Sequence, residues 1–180
     1  IVSVDFQSST QRLGAKISGD RLAINSLGRD FFVSPDGSVV SACHVHGWII
    51  VPLLNYIITC SGKPFSGKWV PFRELKDGVS WGPLFAEQFE APLRLVADAN
   101  PDLFETMIHV CNGRPEPSPV GADISIALSL LPRLKVLICY WKPEDGIESF
   151  LKVLVDDTAE ENLNIESIFI LCVGLMRMFA

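Results

Sequence analysis

Residues 124–155 read ISIALSLLPRLKVLICYWKPEDGIESFLKVLV, and their reading decides the fold. Ile124, Ile126, Leu128 and Leu130 alternate with Asp123, Ser125, Ala127 and Ser129, the period-two pattern of a half-buried strand. Lys135 to Trp141 is apolar almost throughout and reads as a more deeply buried strand. Pro143-Glu144-Asp145-Gly146 has turn chemistry and leads into a third strand, Phe150 to Val155. Three strands joined this closely pair antiparallel, as a meander. Beyond them Asn164 is placed to start a final helix from Ile165 to about Met178.

A second meander lies near the start of the chain. Leu22 and Ile24 alternate with polar neighbours, Arg29 to Val33 is β-prone, and Ser34-Pro35-Asp36-Gly37 turns the chain back into Ser38 to Ser41. Between the meanders the period becomes helical. Gly47 to Cys60 is apolar on nearly every side and reads as buried, with Pro52 in its first turn or at a kink. Leu84, Phe85 and Phe89 mark a helix that Pro92 interrupts or restarts. Asn100-Pro101 reads as the start of another, which runs to Asn112-Gly113. Leu103, Met107, Val110 and Cys111 are expected on its inner face. The chain is therefore expected to be a single α+β domain over 1–180, an antiparallel sheet from two short meanders packed against about four helices. The polar first 20 residues are expected to be loosely held.

Composition narrows the function classes. The 180 residues include 48% hydrophobic ones, enough for a substantial core and too many for a disordered chain. Trp48 to Thr59 and Ile168 to Met176 are the most apolar runs. Both fall short of the roughly 18 residues that a spanning helix needs, so no membrane span is expected. The net charge is -6, with 8 Lys/Arg against 6 Asp/Glu in residues 1–80 and 7 against 15 thereafter. That balance argues against a nucleic-acid surface and leaves room for a small anion site in the basic half. Five scattered cysteines, without a CxxC, point to a reducing, cytoplasmic setting, and no iron–sulfur cluster is expected within the chain. Cys139 and Cys172 read as inert core thiols. The chain opens on Ile1 with no visible signal peptide, so an upstream segment is expected to be missing.

Four segments carry candidate chemistry. Gly62-Lys63-Pro64-Phe65-Ser66-Gly67-Lys68 follows the opening of a phosphate-binding loop. However, a helix precedes it, Trp69 stands where a magnesium-binding hydroxyl belongs, and Pro64 and Pro71 disrupt the cradle and the helix that should follow. We read it as a rigid connector. Trp69, Arg73, Glu74 and Trp81, with Lys68, could line a pocket that stacks a flat ligand; the alternative is that the indoles anchor a loop. His44 and His46, on one face of an extended segment, could supply two metal positions and lack a recognisable third. Asp156, Asp157, Glu160 and Glu161 could bind magnesium, although such a run is more often a solvated acidic turn.

Leu27-Gly28-Arg29-Asp30-Phe31, the Ser34–Gly37 turn, Gly62-Lys63-Pro64, the run from Gly67 to Leu75, and Leu131-Pro132-Arg133 resemble a family of domains of unknown function from anaerobic bacteria and archaea. In some relatives the domain follows a four-cysteine iron–sulfur module like that of corrinoid proteins, which this chain lacks. The resemblance implies an anaerobe's cytoplasm and proximity to redox or one-carbon metabolism, and it transfers no catalytic residue. The function expected is a non-catalytic accessory or ligand-binding domain with a redox or corrinoid protein as partner. Two alternatives stand beside it: a metal-dependent enzyme using His44 and His46, with Asp156 or Asp157, and a homodimer assembled through Ile165–Met178. The cofactor is left open.

Overall fold

The computed structural model describes residues 4–180 and shows an α+β chain whose two meanders form two separate antiparallel sheets. The first sheet has the order β1-β2-β3-β4, from Lys16–Ser18, Arg21–Ser26, Arg29–Val33 and Val39–Ser41. The second has the order β5-β9-β8-β7-β6. Its centre is β7 (Ile124–Leu131), β8 (Leu134–Trp141) and β9 (Phe150–Asp156), and its edges are β6 (Arg114–Pro115) and β5 (Trp69–Pro71). The alternation at 124–130 is thus realised as β7, with a register shift between Ser129 and Leu131 just before the hairpin turn. The β2–β3 hairpin turns on Leu27 (φ 51°) and Gly28 (φ 77°), the twist that two-residue hairpins favour. A Cβ at Gly28 would lie 2.8 Å from that of Asn112, so glycine is required twice over there. The same turn joins the sheets, because Leu27 N–H donates to Ser129 O at 3.0 Å and Ser26 Oγ to Leu130 O at 2.7 Å.

Helices fill the inner side of the second sheet. They are α1 (Phe6–Leu13), α2 (Gly47–Thr59), α3 (Gly78–Phe85), α4 (Ala91–Ala99), α5 (Leu103–Val110), α6 (Ala159–Asn162) and α7 (Ile165–Arg177). The stretch expected to be loosely held carries α1 and β1. Asp5 caps α1, Leu13 is fully buried, and Arg12 donates to Ile57 O at 2.9 Å and to Cys60 O, closing the C-terminus of α2. Residues 1–3 lie outside the described residues. Asn100 does not start α5; its side chain donates back to Val96 O at 2.9 Å and ends α4, while Asp102 precedes α5. Val110, expected inside, is 40% exposed.

The helix capped by Asn164 is the most buried of all. Its backbone comes so close to α2 that a Cβ at Gly174 would sit 2.2 Å from the Trp48 ring. Ile168, Phe169, Leu171, Cys172 and Leu175 are covered by the chain itself. The apolar face expected to assemble a homodimer through Ile165–Met178 is therefore spent on the internal core, and that expectation loses its physical motive.

Pro92 neither breaks nor restarts its helix. Gly78 to Ala99 is continuous, and the five residues Ala86–Glu90 form a π turn between α3 and α4. Proline lacks an N–H and crowds the carbonyl four residues earlier, so a wider turn accommodates it. The wider turn also sets the direction of Glu90. No helix among the described residues is long and apolar enough to cross a membrane.

Candidate functional site

The glycine-rich connector after α2 is held by the acidic segment at the end of β9. Asn162, fully buried, accepts at Oδ1 from Gly62 N–H, Lys63 N–H and Ser61 Oγ, each at 3.1 Å. Its amide nitrogen donates to Lys63 O at 3.0 Å and Arg133 O at 3.1 Å. Asp156, 2% exposed, accepts Gly67 N–H at 2.9 Å, Ser66 N–H at 3.3 Å and the Thr158 hydroxyl at 2.6 Å. Thus the backbone N–H groups that would cradle a phosphate already hold a carboxylate and an amide of this chain. This corrects the reading of Asp156 as part of a solvated acidic turn; both it and Asn162 are internal clamps. Around them the solvated pairs are Lys63–Glu161 at 3.0 Å and Lys68–Asp157 at 3.5 Å. Asp157 also accepts the Ser66 hydroxyl at 2.5 Å; that bond, with Lys68 beside it, holds its carboxyl below the ordinary aspartate range.

The two tryptophans do not share a pocket. Trp69 pairs with Asp156 across β5–β9 and lies on the outer face of the second sheet, against Ala127, Leu137, Cys139 and Leu154. Its indole N–H donates to Glu116 at 3.1 Å. Trp81 lies on the inner side and packs on Phe169 of α7, with ring centroids 5.3 Å apart. Lys68 and Glu74 are exposed. Only Arg73 faces a cleft.

That cleft, of about 380 Å³, is lined by Phe72, Arg73, Val79, Gly82, Pro83, Phe85, Ala86 and Lys152. Its construction follows from the chain. β5 ends at Pro71, and a 3-10 turn, Phe72–Glu74, carries Arg73 outward while Phe72 stacks on Phe85 at 4.0 Å. Gly78 sits so close to this turn that a Cβ there would be 2.4 Å from Phe72 O, which locks the 3-10 turn against α3. Because β5 is short, β9 has an uncovered edge. Glu90 closes it by accepting Val153 N–H at 3.0 Å, and its other oxygen takes the Lys152 ammonium at 3.1 Å. Lys152 is thereby held in the cleft lining. Among the described residues, Arg73 forms no ion pair. Sequence reasoning missed Lys152, Glu90 and Gly82. The one signal available was Pro92, which marks the wide turn that aims Glu90.

His44 and His46 lie in a smaller cleft with Arg29, Cys43, Trp48 and Met178, their rings 4.6 Å apart edge to face, and His46 stacks on Trp48. Both imidazoles are exposed. Asp156 is committed to the connector, away from this cleft. Among the described residues, no group of three or more His, Cys, Asp or Glu side chains is placed to hold a metal ion.

The fold and cleft define an α+β domain with a small, cation-lined cavity at the uncovered edge of its larger sheet. The chain belongs to the family described as a domain of unknown function, DUF3786, whose family model matches residues 5–178. No curated protein and no solved structure matches it.

Proposed function

We propose that this chain is a non-catalytic, ligand-binding accessory domain, and that the Arg73–Lys152 cleft is its binding site. One observation carries the reading. Two basic side chains, from a 3-10 turn and a strand distant in sequence, line one cleft whose other lining residues are apolar or small and include no acid. Such a combination of apolar walls and a few convergent polar groups is the usual form of a small-molecule site. The one lining side chain with nucleophile or base chemistry, Lys152, is engaged by Glu90 at 3.1 Å, which favours binding over turnover. The resemblance to relatives from anaerobes, some with an iron–sulfur module in front, extends the proposal to a cytoplasmic setting with a redox or corrinoid protein as partner.

Thermal denaturation against a metabolite library tests the reading, with Val79→Trp as the control. Val79 is 81% exposed on the cleft rim, so a larger ring there obstructs the cleft without disturbing the core. A cleft ligand at a hundredfold excess over its Kd should raise the wild-type Tm by about 5–10 °C and leave the variant unmoved. If every stabilising compound acts equally on both proteins, the binding site is elsewhere.

A further inference from the structure

We propose that the cleft takes a small monocarboxylate, whose carboxylate lies on the Arg73 guanidinium and whose hydrocarbon body rests against Phe72, Val79 and Pro83. The inference rests on reading the cleft as a ligand site. The charge count supports it. Lys152 arrives paired with Glu90 at 3.1 Å. Glu90 cannot turn to another partner without releasing Val153 N–H, which its second oxygen holds at 3.0 Å. The pair is therefore neutral as a unit, and the uncompensated charge in the lining is the single positive charge of Arg73. One negative charge balances it; the two of a phosphate monoester leave an excess in an apolar cleft.

The geometry of the donors agrees. A guanidinium presents a planar fork that matches a carboxylate with two parallel hydrogen bonds. Arg73 is exposed, forms no ion pair among the described residues, and has its Cβ packed close to Gly82 in the cleft wall. A Cβ at Gly82 would crowd that of Arg73 at 3.2 Å. Size sets the other limit. About 380 Å³ is near the lower end of small-molecule sites, roughly 300–1,000 Å³, so the acid is compact. Apart from Arg73 and the Glu90-paired Lys152, the lining side chains are hydrocarbon, so the body of the ligand is apolar.

The test uses the full chain, ¹⁵N-labelled, titrated with benzoate, with benzamide as the neutral match, and with inorganic phosphate. Benzoate should shift the backbone amides of Arg73, Val79 and Lys152 saturably, and benzamide should bind at least about tenfold more weakly. Arg73→Gln, at an exposed position, should lose at least as much, while Arg73→Lys should keep part of the affinity because it keeps the charge and loses the fork. Equal binding of benzamide, or displacement of benzoate by phosphate, overturns the proposal. If benzoate fails while a neutral compound stabilises the wild type and not Val79→Trp, the ligand class is wrong and the site stands. If no compound distinguishes Val79→Trp from the wild type, both fall.

Discussion

Glu90 takes the place of a missing strand opposite Val153. Glu90 is 6% exposed, and its carboxylate accepts the N–H that β5 would have satisfied had it continued past Pro71. Unpaired strand edges invite association with other chains, and here a π turn supplies the acceptor. Glu90→Ala should cost about 2–4 kcal/mol, since it leaves a buried N–H unpaired and Lys152 without its counter-charge. Equilibrium urea denaturation checks this. Lys152→Met in the Glu90→Ala background should recover part of the loss, because the stranded charge is then gone.

Asn162 is a second point of high sensitivity. Asn162→Ala should destabilise by at least about 3 kcal/mol, because the N–H groups of Gly62 and Lys63 and the carbonyls of Lys63 and Arg133 lose their partner together. Asn162→Asp should cost more at neutral pH, since it turns a carboxylate oxygen toward those carbonyls. Amide hydrogen exchange should rise first across residues 61–68 in both variants.

Gly174 and Trp48 form a size-matched pair. Gly174→Ala should cost about 1–3 kcal/mol or more through overpacking, and Trp48→Leu should relieve it. A double-mutant cycle that gives strict additivity would show that the two helices do not meet as described.

The cysteines differ in access. Cys139 and Cys172 are fully buried and Cys111 is 1% exposed, and burial pushes the Cys111 thiol up to about 11 and also raises those of Cys139 and Cys172. Cys60 is buried as well, whereas Cys43 is half-buried. Brief alkylation of the native protein near pH 8 should label Cys43 alone, as read by peptide mass spectrometry, and all five after unfolding.

Asp157 contributes a pH dependence of definite sign. Its folded value is held below the ordinary 3.8, first by the Ser66 hydroxyl and then by Lys68. Its contribution is therefore complete above about pH 4–5 and is lost as pH falls through the lower folded value. Asp157→Asn should flatten the acid limb of the stability profile, measured from pH 6 to 2, and leave the neutral-to-alkaline limb unchanged.

Much of the fold was legible in local patterns. The alternation from Ile124 to Leu130, the turn Ser34–Gly37, the apolar run from Gly47 and the cap at Asn164 each describe a structure completed within a few residues. The site was far less legible. Arg73 was found because it stands in an unusual run, but its companions Trp69 and Trp81 fall on opposite sides of a sheet that the sequence does not announce. β5 is only three residues long, and its pairing with β9 determines which face each residue takes.

The sequence by itself determined the α+β class, the central strands and main helices, and the rejection of a phosphate-binding loop, because periodicity, turn chemistry and proline placement act over short range. Only the tertiary structure decided that Asp156 and Asn162 hold the connector, that Glu90 closes the edge of β9, and that Arg73 faces Lys152 across a cleft. Those relations join residues about 60–100 positions apart. They exist only once loop closure has been offset by burial of the core that brings them together.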